Sequence, residues 1–166
     1  SAFIADEFKK SGLLPLNNGS YFQNFELSVN TFPGKVEVKL DGHLLQTAVD
    51  YLVDATSPSI KGTYKVIPVT RGAINTAEKL TLLIGKAKEA FILLDDRKAA
   101  DESPEVQKII AENIRKLKTE KNLDFKGLLS FSEEKLTWTT LTYQSPRPVI
   151  YINKRILILL LFIHLR

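Results

Sequence analysis

The chain has 166 residues, 44% of them apolar and 25% charged, and a net charge of +4. That length suits one domain with a real core, and that balance is usual for a globular protein. There is no cysteine, which excludes disulfides and thiolate metal sites. The 23 basic residues are interleaved with 19 acidic ones and form no arginine-rich or aromatic-basic stripe, so a nucleic-acid footprint is not expected.

In chain order, "AFIADEFKKSG" reads as the end of an amphipathic helix. Phe3, Ile4 and Phe8 share one side, and Asp6, Glu7, Lys9 and Lys10 lie largely on the other. Gly12 suits a left-handed cap, and Pro15 forbids continuation. "YFQNFELSV" then alternates as a strand does. In "KVEVKLDGHLLQ", Val36, Val38 and Leu40 alternate with Lys35, Glu37 and Lys39. Asp41-Gly42 follows, a pair suited to a tight hairpin because both positions tolerate positive φ. "YLVDATSPSIKGTYKVIPVT" gives two further strands around a Ser-Pro-Ser loop. Residues 21–70 thus predict an antiparallel β region.

The second half changes character. "NTAEKLTLLI" predicts a helix capped by Asn75 or Thr76. "AFILLDD" is a nearly continuous apolar run that suits a strand buried on both faces. "SPEVQKIIAENIRKLK" carries the strongest helix signal. Ser103 caps, Pro104 takes the first helical position, and Val106, Ile109, Ile110, Ile114 and Leu117 form one stripe. "GLLSF", "LTWTTLTY" and "PVIYI" are three more strand candidates. The order predicts an α+β fold, a curled or sandwiched β region with flanking helices.

"FIADEFKKSGLLPLNNGSYFQNFEL" resembles the start of secreted bacterial zinc aminopeptidases related to glutamate carboxypeptidase. In them a helix, a "GL.P" turn and an aromatic "Y.Q.F" strand lead into an inserted protease-associated domain. "AFILLDDRK" resembles that domain's "vlvdR" strand, and "SPEVQKIIAENIRKLK" the helix after it. "LDFKGLLSF" is similar to its "GA.gvi" strand and "RPVIYINK" to its closing strand. Lys126-Gly127 stands where Gly-Ala is usual, and Lys98 follows Arg97 where other such domains often have Cys. The resemblance covers roughly residues 2–154. It implies residues 1–20 as the helix and turn of a parent peptidase, 21–154 as a protease-associated-like domain, and 155–166 as an apolar tail.

The resemblance implies a non-catalytic accessory portion of a secreted zinc exopeptidase. That portion would border the active site and aid substrate selection or assembly. The implied partners are the catalytic domain of the parent peptidase and peptide substrates. The His, Asp and Glu ligands of such enzymes lie in a later domain, so zinc is expected only there. This chain is expected to hold no cofactor, no metal and no catalytic residue. Localisation follows as secreted, periplasmic or cell-envelope. The absence of methionine fits a processed, trimmed or excised chain. The alternative is a stand-alone cell-envelope domain that binds protein or glycan through its β surface. A self-contained hydrolase using Asp95 and Asp96 is a third reading.

His43 and His164 are too isolated for a zinc site, which needs three or four convergent ligands. Asp95 and Asp96 end an apolar strand, where paired carboxylates serve acid–base work, bind calcium, or simply start a solvated loop. Glu133-Glu134 is a weaker pair of the same kind. Arg97 is the polar residue to watch: a guanidinium at the end of a buried strand binds loop carbonyls or a carboxylate. Trp138, Tyr143 and Tyr151 serve either packing or a partner. Asn18-Gly19-Ser20 is a sequon, relevant only on a eukaryotic secretory route. The uninterrupted apolar run of Ile156 to Ile163 is too short for a membrane span, which needs roughly 20 residues. Apolar on both faces, the stretch Ile156 to Leu165 is expected to support a homo-oligomer if no partner covers it.

Overall fold

The computed structural model describes residues 2–16, 18–26, 34–98, 101–132 and 143–156. Helix α1 spans Ala2–Lys10. Two short strands, β1 Lys39–Leu40 and β2 His43–Leu44, precede β3 Tyr51–Val53 and β4 Lys65–Thr70. A 3-10 turn at Arg71–Ile74 leads into α2, Ala77–Lys86. Strand β5 Ala90–Asp95, helix α3 Pro104–Thr119, and strands β6 Gly127–Ser132 and β7 Val149–Asn153 complete the order.

The fold is α+β. Five strands form one mixed sheet in the order β3-β7-β6-β5-β4, beside a separate two-stranded β1-β2 hairpin. Strands β4 to β7 run parallel, and β3 joins β7 antiparallel with Leu52 opposite Tyr151. The hairpin forms at Asp41-Gly42 as its sequence predicts. Both residues have positive φ, and Leu40 pairs with His43.

The two faces of the sheet follow the period of two along each strand. On one face Ile92, Leu94, Leu128 and Val149 pack with Leu80 and Leu83 of α2 and Ile110 and Leu117 of α3. The other face carries Phe91, Leu93, Leu129, Phe131, Ile150 and Ile152, with Leu45 and half-buried Val36 and Val38 against it. Strand β5 is therefore buried on both faces, as its apolar run predicts. Each such side chain contributes about 1.5–3 kcal/mol of transfer free energy. Gly127 opens β6 directly beneath Phe91. A Cβ there would come within 2.3 Å of the ring, so any larger residue forces Phe91 to shift.

Helix ends obey local chemistry. Thr76 caps α2 by accepting from the Lys79 N–H, and Ser103 caps α3 by accepting from the Val106 N–H. At Gly12, with φ +75°, the Leu13 N–H donates to the Phe8 carbonyl and the Gly12 N–H to Lys9. That pair of bonds closes α1 in a Schellman turn.

Three expectations need correction. Residues 21–70 are not one antiparallel region: β3 pairs with β7 and β4 pairs parallel with β5. Alternation fixes which face a side chain takes but not which strand lies alongside. Residues 21–26 are not in a strand, and "LTWTTLTY" lies mostly outside the described residues. The α3 stripe is also not uniform. Ile110 and Leu117 are buried and Val106 and Ile114 half-buried, but Ile109 stays 42% exposed. Asn113 takes a buried place instead, where its side-chain amide donates to the Ile74 carbonyl at 2.8 Å. Ile156 lies buried in the second core cluster, while 157–166 fall outside the described residues.

Candidate functional site at the carboxyl ends of the parallel strands

In open sheets with parallel strands, ligands bind beyond the carboxyl ends of the strands. Here β4 ends at Thr70 and β5 at Asp95, so Arg71, Asp95, Asp96 and Arg97 meet at this edge. The loop before α3 brings Glu102 to the same place.

Arg71 is the centre of the cluster, and its side chain is almost fully buried. Its Nε donates to Glu102 Oε1 at 2.8 Å and Oε2 at 3.0 Å, and its Nη2 donates to Glu102 Oε2 at 2.8 Å. Its Nη1 donates to a carboxylate oxygen of Asp96. Forked bonds of this kind are the geometry a guanidinium favours. The hydrogen bonds that Arg71 donates to Glu102 hold its pKa up against burial, with Asp96 adding to them.

Asp95 points to a different partner. Arg97 donates to it through Nε at 2.8 Å and through Nη2, and the Arg97 N–H also reaches Oδ1. The side-chain bond from Arg97 holds the Asp95 carboxyl below the usual range. The Arg97 side chain is 52% exposed. Asp95 and Asp96 are thus adjacent in sequence but committed to separate arginines. The Asp95 carboxylate, forked by Arg97 and held ionised by it, accepts hydrogen bonds and does not donate a proton near neutral pH.

A cavity of about 390 Å³ lies beside this cluster, lined by Gly72, Asn75, Asp101, Glu102, Ser103 and Val106, with Ile110 at its apolar wall.

A second polar group sits on the helix-covered face near β3. The Tyr151 hydroxyl donates to Asp54 Oδ2 at 3.0 Å and accepts from Lys118 Nζ at 3.2 Å. Lys118 also lies over the Tyr151 ring, 5.1 Å from its centroid. Thr56 donates through both its N–H and its hydroxyl to Asp54 Oδ1. Burial pushes the Lys118 pKa down. Burial, then the Asp54 charge, pushes the Tyr151 pKa up.

Among the sequence-derived candidates, Asp95, Asp96 and Arg97 come together at the strand ends, and Tyr151 lies elsewhere with Asp54. His43 is exposed and its Nδ1 donates to the Asp41 carbonyl. Tyr143 is exposed. Glu133, Glu134, Trp138 and His164 lie outside the described residues. Sequence reasoning missed Arg71, Glu102, Asp54 and Lys118. The available signal was position, since Arg71 follows directly on a strand, as Arg97 nearly does. Among the described residues no group of three or more His, Cys, Asp or Glu could hold a metal ion. Also among them, no helix is long and apolar enough to cross a membrane. No family model, curated protein or solved structure matches the chain.

Proposed function

We propose that the chain is a non-catalytic accessory portion of a secreted zinc exopeptidase, similar to a protease-associated domain, that borders the active site and aids peptide selection or assembly. The observation that carries this reading is the commitment of the strand-end carboxylates. Asp95 is forked by Arg97, and Asp96 and Glu102 are held by Arg71. Groups tied in this way give a rigid charged rim, which suits recognition and not proton transfer. The rim lies where the resemblance puts the "vlvdR" arginine. Half-exposed Arg97 is the residue there that reaches a peptide carbonyl or carboxylate.

Zinc in this reading belongs to a following catalytic domain. Sequencing the gene beyond codon 166 tests it. An in-frame α/β domain with "AHYDH"-like ligand motifs is the expected result. A stop codon there, with no peptidase gene adjoining, would overturn the reading in favour of a stand-alone cell-envelope binding domain.

A further inference from the structure

Helix α1 is amphipathic yet buries none of its residues. Phe3, 73% exposed, shares the apolar side with Ile4 and Phe8. The chain then turns at Gly12 and presents Leu13, Leu14 and Leu16, the last 96% exposed. Tyr21 folds back on this turn. Its hydroxyl donates to the Leu13 carbonyl at 2.6 Å, and its ring lies 6.3 Å from that of Phe8. The arm is therefore a formed surface with its own internal bonds.

Its size is informative. A whole aromatic side chain carries roughly 150–250 Å², and Leu and Ile somewhat less, so these six residues expose on the order of 700 Å². The largest apolar patch on an ordinary monomer is about 300–600 Å². One side of a standard protein interface is about 800 Å². The arm has nearly the area of one complete half-interface.

Its charges indicate the occupant. Lys10 Nζ donates to Glu7 Oε1 at 2.8 Å within α1, so the two lie on the same flank of the helix, one turn apart. When two identical helices pack antiparallel about a two-fold axis, like flanks meet with their directions reversed. Glu7 of one copy then meets Lys10 of the other, and Lys10 meets Glu7. The axis falls beside Phe8, which meets its own copy. Ile4 comes opposite the turn at Gly12-Leu13, where the missing Cβ admits close approach. Glu7, Lys10, Phe8 and Ile4 thus each find a suitable counterpart in the second copy.

We propose that α1 and the turn after it form an isologous interface with a second copy of this chain, antiparallel and centred at Phe8. The inference does not rest on the accessory reading: the oligomeric state of this chain tests the one, and the gene sequence beyond codon 166 tests the other.

Sedimentation equilibrium of the 166-residue chain tests it. The wild type is expected to be a dimer in the micromolar range. Phe8→Glu, which sets two charges face to face at the axis, is expected to weaken it about 30-fold or more. Its far-ultraviolet circular dichroism and unfolding midpoint should stay unchanged when the variant is compared as monomer. Glu7→Lys alone is expected to weaken the dimer, and Glu7→Lys combined with Lys10→Glu to restore it. That rescue separates a two-fold contact from general stickiness, since the double variant has the same apolar surface as the single one. A monomeric wild type overturns the proposal. So does an oligomer indifferent to Phe8→Glu, or a double variant no better than the single.

Discussion

Arg147 offers the sharpest test of how this fold is closed. It is only 4% exposed, and its guanidinium donates to three backbone carbonyls. Nη1 reaches Leu117 at 2.7 Å, and Nη2 reaches Glu120 at 2.6 Å and Leu123 at 3.0 Å. Leu117 and Glu120 belong to the last turn and cap of α3, where carbonyls lack partners within the helix. The guanidinium also lies 4.3 Å from the centroid of the Phe125 ring. A hydrogen bond from a charged donor contributes about 1.5–3 kcal/mol, and a partly desolvated cation–π contact about 1–2 kcal/mol. Taking a guanidinium out of water offsets several kcal/mol of that sum. Burial pushes its pKa down, in the direction of that cost. Arg147→Ala should nonetheless destabilise the fold by about 3–5 kcal/mol, because three carbonyls then lose their donor. Arg147→Lys keeps the charge but cannot span three acceptors and should lose about half as much. Urea titration followed by circular dichroism measures both, with an unchanged slope as the condition for reading the midpoint as stability. A loss below about 1 kcal/mol for Arg147→Ala would refute the clamp.

Ile110→Ala should cost about 2–5 kcal/mol, because the side chain is buried in the α3–sheet core, whereas Ile109→Ala should change stability by less than about 1 kcal/mol. Equal effects in denaturant titration would mean that α3 docks on another face. Gly127→Ala should destabilise by about 1–3 kcal/mol, since the new methyl collides with Phe91 in a packed core; trimming the ring in Gly127→Ala/Phe91→Leu should recover part of that loss, and an unaltered midpoint for the single variant would rule out the contact. Tyr151 gives an alkaline signature. Its folded pKa is raised, so its contribution is full below the unfolded value of about 10 and is lost as pH rises beyond it. Lys118, with a lowered pKa, acts oppositely and becomes less costly as pH approaches about 10.4. The stability gap between wild type and Tyr151→Phe should narrow from pH 8 to pH 11, and a constant gap would show that the hydroxyl does not titrate with folding.

The features legible in the sequence share one property: their partners are close along the chain. The Ser103 and Thr76 caps bond three residues ahead, and the Asp41-Gly42 hairpin closes over four residues. The buried strand at 90–95 was readable because apolar side chains on both faces need no named partner. Strand pairing was not readable, since β3 meets β7 only at the far end of the chain, with Tyr51 opposite Ile152 and Val53 opposite Ile150. The polar interior was hidden for the same reason. Arg71 bonds Glu102, 31 residues away, Arg147 bonds Leu117, 30 residues away, and Asn113 bonds Ile74, 39 residues away. Read alone, each is an ordinary surface residue, because the desolvation that would exclude it is offset by groups no local window contains. The strand-end rim shows both limits at once. Asp95 and Arg97 pair two residues apart and could be foreseen as a unit. Asp96 stands beside them in sequence but lies just past the end of β5 and belongs to Arg71. Adjacency in sequence therefore does not make these two carboxylates a catalytic pair, since each is bonded to a different arginine.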